Sequence, residues 1–183
     1  MLTEKSMLRI SDKVTVIFLD RDGVLNEHTT GSKYVLDPRE LVIYDDAKIF
    51  ISKALHANKK IFVITNQQCV GLGLITKAQL DEIHLKLSSE LKIGNQDSIT
   101  RIYVCVHKIN ENCKCRKPKT GLIEQCFADY SLNSEQVVFF GDSLSDMECA
   151  ERANIKFIGV HRNLNQIFPN EVDTVGDLGD ISF

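Results

Sequence analysis

The sequence predicts an α/β fold, a three-layer sandwich with a mainly parallel central sheet between two layers of helices. Short runs rich in β-branched and aromatic residues alternate with segments whose apolar residues follow helical spacing. The runs are almost continuously apolar, as is typical of strands covered on both faces. Strands that alternate with helices form parallel β-α-β units, and such sheets bind ligands beyond the carboxyl ends of their strands.

Five strands and four helices are predicted in chain order. The strands lie at residues 14–19, 60–65, 99–106, 137–140 and 156–160, and the helices at 46–57, after 76, at 121–129 and at 143–153. Thr76 and Gln79 form a capping box, and Leu80, Ile83 and Leu87 then follow on one helical face. The tail after Val160 contains Asp and Gly, which predicts a loosely packed terminal segment.

Length and composition indicate one domain spanning residues 1–183. An apolar fraction of 43% and a charged fraction of 26% are ordinary for a globular chain of this size. The first 13 residues lack the apolar core of a secretory signal, and no apolar run reaches membrane-spanning length. We therefore expect a cytoplasmic monomer without membrane contacts. The net charge of −3 gives no general attraction for nucleic acid, so no such partner is expected.

Polar residues follow the ends of four predicted strands. They are Asp20 and Asp22, then Thr65 and Asn66, then Lys117, and finally Asp142 and Asp146. Carboxylates gathered at one edge of a sheet repel one another unless a cation holds them, and oxygen ligands favour Mg²⁺. The pattern therefore predicts a magnesium site that orients a phosphate for in-line attack.

These residue types also suit a phosphoryl-transfer mechanism. Asp20 is suited to form an aspartyl-phosphate, and Asp22 to protonate the leaving group and later deprotonate water. Lys117 and the Thr65 hydroxyl would stabilise the charge of the transferring group. Taken singly, each segment also fits a turn, a helix cap or a surface bend. Their joint occurrence at successive strand ends favours the catalytic interpretation.

A cysteine-rich loop spans residues 105–115. Cys105, His107, Cys113 and Cys115 supply three thiols and one imidazole, and residues two apart in an extended segment point to the same side. The loop therefore predicts a closed tetrahedral site with a structural zinc ion. The alternative is that Cys105 is a buried strand end and the other thiols are incidental. Cys69, Cys126 and Cys149 are predicted core residues, and the remaining histidines are unclustered and receive no role.

The four polar segments, in this order from about residue 16 to residue 160, resemble the four motifs of the haloacid dehalogenase-like hydrolase superfamily. The resemblance implies the Rossmann-like fold of that superfamily, with Asp20 as nucleophile and Asp22 as general acid and base. It also implies that Asp20, the backbone carbonyl of Asp22, and Asp142 hold magnesium, with Asp146 in the outer shell. An Asp at the second position implies a phosphatase or a phosphomutase.

Segments 20–26, 33–35, 65–67 and 115–118, together with the cysteine loop, resemble the heptose 1,7-bisphosphate phosphatase and histidinol-phosphatase group. This resemblance implies a capless enzyme that removes the 7-phosphate of D-glycero-D-manno-heptose 1,7-bisphosphate, a precursor of lipopolysaccharide and surface glycans. It implies that Thr65, Asn66, Gln67 and Gln68 line the phosphate pocket, and that Arg116 and Lys117 bind substrate. Leu72 stands where this group usually has arginine, and Ser143 stands where it often has lysine. Losing the lysine charge at position 143 would weaken contact with a second phosphate.

Three alternatives remain open at this point. Histidinol phosphate hydrolysis requires a subsite for the amine and imidazole of that substrate. A nucleic-acid 3′-phosphatase is disfavoured by the acidic net charge and the missing basic stripe. An inactive phosphate-binding module is disfavoured by the intact Asp20, Asp22, Lys117 and Asp142.

Overall fold

A computed structural model describes residues 7–29, 33–162 and 168–183 of the chain. Its helices are Asp45–His56 (α1), Lys77–Glu90 (α2), Gly121–Tyr130 (α3) and Leu144–Arg152 (α4). Its strands are Leu8–Arg9 (β1), Val16–Leu19 (β2), Lys60–Asn66 (β3), Arg101–Cys105 (β4), Val137–Gly141 (β5), Lys156–Val160 (β6), Thr174–Val175 (β7) and Ile181–Ser182 (β8). The predicted alternation of strands and helices is confirmed.

Six strands form the central sheet in the order β4-β3-β2-β5-β6-β7. Every neighbouring pair in it is parallel. The chain places β3 and β4 on one side of β2 and then returns to place β5 on the other side. The reversal leaves a crevice beyond the carboxyl ends of β2 and β5, which is where sheets of this kind bind ligands.

Helices cover both faces of the sheet. Phe50 of α1 and Ile83 of α2 pack in a hydrophobic core on one face, while Leu122 of α3 and Ala150 of α4 pack in a second core on the other. All four residues of β2 are buried, as their continuous apolar character predicts. This confirms the three-layer sandwich, and within the described residues no cap domain interrupts it.

Helix α2 begins where the sequence predicts. The Thr76 side chain accepts from the Gln79 backbone N–H, and the Gln79 side chain accepts from the Thr76 N–H, so the capping box is present. Neither α2 nor any other helix in the described ranges is long and apolar enough to cross a membrane.

The chain after residue 167 packs more tightly than the sequence predicts. β7 extends the central sheet, β8 pairs with β1, and Leu178 and Ile181 are fully buried. Arg162 donates to both carboxylate oxygens of Asp46, at 2.6 and 2.8 Å, and the Leu178 N–H donates to Asp46 at 2.8 Å. The prediction of a loosely packed tail was wrong for residues 168–183, because these contacts join it to α1. Residues 163–167 lie outside the described ranges.

Candidate active site

The turns after β2 and β5 meet at the switch point of the sheet. The Asp20 N–H donates to the Phe140 carbonyl at 3.0 Å, so the two strand ends stay joined. Gly23 has a φ of +80°, and a Cβ at that position would lie 2.1 Å from Oδ2 of Asp142. Glycine is favoured here for two reasons: the backbone has a positive φ, and the turn passes too close to Asp142 to leave space for a side chain.

Lys117 lies buried between two of the predicted site carboxylates. Its Nζ is 2.8 Å from Oδ1 of Asp20, 2.6 Å from Oδ1 of Asp146 and 2.8 Å from the Ile64 carbonyl oxygen. Each of the three ammonium hydrogens thus has an oxygen nearby. Burial alone would lower the pKa of Lys117, but the two carboxylates outweigh it and raise the pKa. The lysine is therefore a fixed positive charge.

The backbone of Lys117 is held by Asn66 at the end of β3. The Asn66 side chain accepts from the Lys117 N–H at 3.1 Å and donates to the Lys117 carbonyl at 3.2 Å. This paired contact joins the loop after β4 to the end of β3. It explains how Lys117, which lies 51 positions after Asn66 and outside any helix or strand, reaches Asp20.

Three carboxylates gather next to this lysine. Ligand oxygens of Asp20, Asp142 and Asp146 all lie within 4.8 Å of one another. Burial raises the pKa of Asp20 to about 6 against the opposing effect of Lys117, and burial likewise raises the pKa of Asp142. Both carboxylates are therefore costly to ionise in this buried setting unless a cation joins them. The all-oxygen donor set fits a hard divalent cation such as Mg²⁺.

Two further side chains order this cluster. His28 Nε2 lies 3.0 Å from Oδ2 of Asp142. Ser143 caps α4, since its hydroxyl accepts from the Asp146 N–H at 3.2 Å and donates to Oδ2 of Asp146 at 2.5 Å. Ser143 thus holds the Asp146 carboxylate at the first turn of the helix.

The Asp22 carboxylate is surrounded by hydrogen-bond donors. Arg21 Nη2 lies 2.9 and 3.0 Å from its two oxygens, Asn26 Nδ2 lies 2.9 Å from Oδ1, and Gln67 Nε2 lies 2.7 Å from Oδ2. Burial raises the pKa of Asp22, but the Arg21 charge and these hydrogen bonds outweigh it and lower the pKa below its usual value. The carboxylate is therefore ionised and held in one orientation.

A cleft of about 330 Å³ opens above Asp20 and Asp22. Four residues predicted to contact substrate or phosphate line it beside Lys117, namely Thr65, Asn66, Gln68 and Arg116. Gln67 lies differently, because its side chain is buried and donates to Asp22 and to Thr65 Oγ1. Lys33 and Tyr34 also line the cleft. The structure thus brings all the predicted residues of this site to one sheet edge.

The cysteine loop forms a second cluster beside the cleft. Ligand atoms of Cys105, His107, Cys113 and Cys115 lie within 4.8 Å of one another. The Cys105 and Cys113 sulfurs are 3.6 Å apart, and His107 Nδ1 lies 3.2 Å from the Cys115 sulfur. Zinc bound at about 2.3 Å by sulfur and about 2.0–2.1 Å by nitrogen separates tetrahedral ligand atoms by about 3.5–3.8 Å, so the four atoms are close to this arrangement and only the His107–Cys115 pair must widen slightly. The residues therefore fit a zinc ion.

Sequence reasoning missed several residues at the site. His28 and His84 were assigned no role, yet His28 contacts Asp142, and His84 contacts Arg21 with 3.3 Å between their nitrogens. Both contacts join segments far apart in the chain, so local spacing carries no signal of them. Arg21 and Asn26, in contrast, lie within four positions of Asp22, so the motif itself could have indicated their contacts.

Comparisons with known proteins identify the class of this chain. A sequence model described as "Haloacid dehalogenase-like hydrolase" matches residues 24–160. A protein of Thermoplasma volcanium named "Probable D-glycero-D-manno-heptose-1,7-bisphosphate 7-phosphatase" is 34% identical over 142 residues, which cover 77% of this chain and 94% of that protein. The chain belongs to the haloacid dehalogenase-like hydrolase family.

Two further similarities narrow the class. The D-glycero-D-manno-heptose-1,7-bisphosphate 7-phosphatase of Chlorobaculum tepidum is 32% identical over 181 residues, covering 88% of this chain and 89% of that protein. The crystal structure of D,D-heptose 1,7-bisphosphate phosphatase from B. bronchiseptica, complexed with magnesium and phosphate, has a TM-score of 0.80 and 27% identity, covering 91% and 95% of the two chains. The chain is a phosphatase, a phosphoric monoester hydrolase.

Proposed function

We propose that this phosphatase removes the 7-phosphate of D-glycero-D-manno-heptose 1,7-bisphosphate through an aspartyl-phosphate on Asp20, with magnesium as its cofactor. The observation that carries the mechanism is the contact of Asp20 with buried Lys117, beside Asp142 and at the base of an open cleft. The names of the relatives support the substrate.

Asp20, the Asp22 carbonyl and Asp142 would hold the magnesium ion, with Asp146 behind them. When bound, the ion neutralises the phosphate and the carboxylates that face it. One Asp20 oxygen attacks phosphorus while the bond from phosphorus to the leaving oxygen breaks. Lys117 stabilises the transferring group, because its charge is fixed at the point where negative charge develops.

Asp22 carries the proton in both half-reactions. It donates a proton to the leaving alkoxide, and it then takes one from the water that attacks the phosphorus of phospho-Asp20. Inorganic phosphate leaves, and Asp20 is a carboxylate again. The pKa of Asp22 is lowered in the free protein. The negative charge of an arriving phosphate opposes ionisation, so substrate binding favours the protonated form that the first step requires.

The cleft supports a small phosphorylated sugar as substrate. Thr65 and Gln68 line it, and Arg116 supplies a cation in addition to Lys117. A second depression of about 400 Å³ adjoins the cleft and shares Asn66, Arg116 and Lys117 with it. An extended substrate with two phosphates therefore has room in two depressions that Arg116 lines in common, although Ser143 contributes no charge.

The cysteine loop would bind one structural zinc ion, which supports catalysis indirectly. Arg116 follows the last ligand, Cys115, and its Nη1 lies 3.4 Å from the His107 carbonyl oxygen. Lys119 donates to the Cys113 carbonyl at 2.8 Å. An ordered loop therefore fixes Arg116 and Lys117 at the cleft.

Phosphate release with magnesium tests the proposal. The panel is heptose 1,7-bisphosphate, histidinol phosphate, common sugar monophosphates and a 3′-phosphorylated oligonucleotide, each with wild type and Asp20→Asn. Preference for the bisphosphate, with loss of activity in the variant, would support both substrate and mechanism. Preference for another ester would reject the substrate and keep the mechanism. Equal release by the two proteins would reject the mechanism.

A further inference from the structure

Arg21 is fully buried beside Asp22, and its guanidinium is held at both ends. Nε and Nη2 face the Asp22 carboxylate, with Nε 3.2 Å from Oδ1. The remaining nitrogen, Nη1, lies 3.3 Å from His84 Nε2. The side chain thus forms a rigid bridge from the carboxylate to helix α2, which carries His84.

The contact fixes the tautomer and the charge of the His84 ring. A guanidinium has donors and no acceptor, so His84 Nε2 must accept and the ring must carry its hydrogen on Nδ1. A protonated ring would have no acceptor for Arg21. Burial of His84, 8% of which is exposed, and the charge of Arg21 lower the pKa of His84 to about 3, in agreement with a neutral ring.

We propose that His84 is a positioning residue for proton transfer, because it holds Arg21, and Arg21 holds the Asp22 carboxylate at the angle needed to reach the leaving oxygen. The inference rests on the proposed role of Asp22 as general acid and base. Asn26 and Gln67 donate to Asp22 from other sides, but each offers one hydrogen bond. Arg21 is the donor that covers both oxygens of the carboxylate, and His84 fixes the plane of that donor.

The choice of leaving group separates positioning from general damage. Sugar phosphates release an alkoxide that needs a proton, whereas p-nitrophenyl phosphate releases a stabilised phenolate that does not. The ratio of kcat/KM for the two esters reports protonation of the leaving group, because kcat/KM covers the steps up to formation of phospho-Asp20. Loss of folded protein changes both values equally and leaves the ratio unchanged.

The matched variants are His84→Gln and His84→Asn. The glutamine amide oxygen reaches about as far from the backbone as histidine Nε2, whereas the asparagine oxygen reaches only as far as Nδ1. We expect His84→Asn to lower kcat/KM for the sugar phosphate by about 10-fold, a part of the 10²–10⁴-fold that general acids supply. The value for p-nitrophenyl phosphate changes less than about 2-fold, and His84→Gln restores the ratio. The same substitutions at exposed His56, which contacts the Ser52 carbonyl, serve as control.

Asp22→Asn separates the failure of this inference from failure of the proposed function. If Asp22→Asn leaves the ratio unchanged, Asp22 is not the general acid, and both the positioning role of His84 and the proposed role of Asp22 are rejected. If Asp22→Asn lowers the ratio while His84→Asn and His84→Gln behave alike, only the role of His84 is rejected.

Nitrogen NMR of the wild type provides a test without substitution. We expect His84 with hydrogen on Nδ1 and none on Nε2 from pH 5 to 8, and the opposite tautomer or a protonated ring would overturn the inference.

Discussion

The Lys117 ammonium nitrogen lies 2.8 Å from an Asp20 oxygen and 2.6 Å from an Asp146 oxygen, so one buried cation joins the turn after β2 and the loop after β4 to the first turn of α4. Lys117 is 3% exposed, and water cannot replace it readily. The same charge that would stabilise a transferring phosphoryl group therefore also holds the unliganded site together. This dual role connects stability with catalysis at this position.

Replacing Lys117 with methionine should destabilise the metal-free protein. The substitution leaves Asp20 and Asp146 buried without their cation, a change that costs about 3–5 kcal/mol when one partner of a buried ion pair is removed. Urea unfolding in the presence of a chelator measures the loss. Lys60→Met, at the exposed first residue of β3, is the matched control and should change stability by less than about 0.5 kcal/mol. A loss below about 1 kcal/mol for Lys117→Met would contradict the bridging role.

Asp20→Asn should stabilise the metal-free protein at neutral pH. The pKa of Asp20 is raised by burial from 3.8 to about 6, so ionising Asp20 costs folding free energy. Lys117 keeps Asp146 as its partner in the variant, so no buried cation is left unpaired. Protonation of Asp20 favours the folded state, and this stabilisation is fully present below pH 3.8 and is lost as the pH rises through about 6. The variant should therefore exceed wild type by on the order of 1–3 kcal/mol at pH 7.5, and the difference should vanish near pH 4. Saturating magnesium should stabilise wild type more than the variant. A difference that grows as the pH falls would contradict this account.

Elemental analysis of the purified protein should find one zinc per chain. Cys115→Ser should lose the metal and lower phosphatase activity by up to about 10²-fold, because Arg116 and Lys117 are displaced by the loosened loop. Cys126→Ser is the matched control, because Cys126 lies in the hydrophobic core with Tyr103 and Leu122 and should keep full zinc. Full zinc occupancy in Cys115→Ser would show that the cluster does not bind as proposed.

The Asp46–Arg162 contact should make the C-terminal tail sensitive to acid. Burial raises the pKa of Asp46, but the hydrogen bonds from Arg162 and Leu178 outweigh it, so the pKa lies below its usual value of 3.8. The stabilisation is present above that value and is lost as the pH falls through the lower pKa of the folded state. Asp46→Asn should cost about 1–3 kcal/mol at pH 7 and progressively less below pH 4. An equal cost at pH 7 and pH 3, measured by denaturant unfolding, would exclude this ionic contribution.

The fold could be predicted because its signals are local. Continuous apolar runs indicated buried strands such as β2, and the Thr76 capping box indicated the start of α2. β1 and β8 contain two residues each and have no period to detect. The tail is held by Arg162 and Asp46, which lie 116 positions apart, so no local pattern could indicate their contact.

In the candidate site, too, local motifs could be predicted from the sequence and long-range contacts could not. Motif spacing predicted that Asp20, Asp142 and Lys117 would meet, because parallel strands end at one edge of the sheet. The sequence indicated a missing cation at Ser143, and the structure shows in addition that this residue caps α4 and holds Asp146. The contact of His84 with Arg21 depends on how α2 packs over the turn after β2. Such packing follows from the whole core and not from any single segment.

Trapping the covalent intermediate tests the central claim most directly. Wild-type protein is mixed with heptose 1,7-bisphosphate and magnesium, quenched in acid within milliseconds, digested and analysed by mass spectrometry. We predict one added phosphoryl group on the peptide that contains Asp20, located at Asp20 and absent in Asp20→Asn and in samples quenched after the substrate is consumed. Rapid phosphate release without any phosphorylated Asp20, or with the group on another residue, would contradict the account.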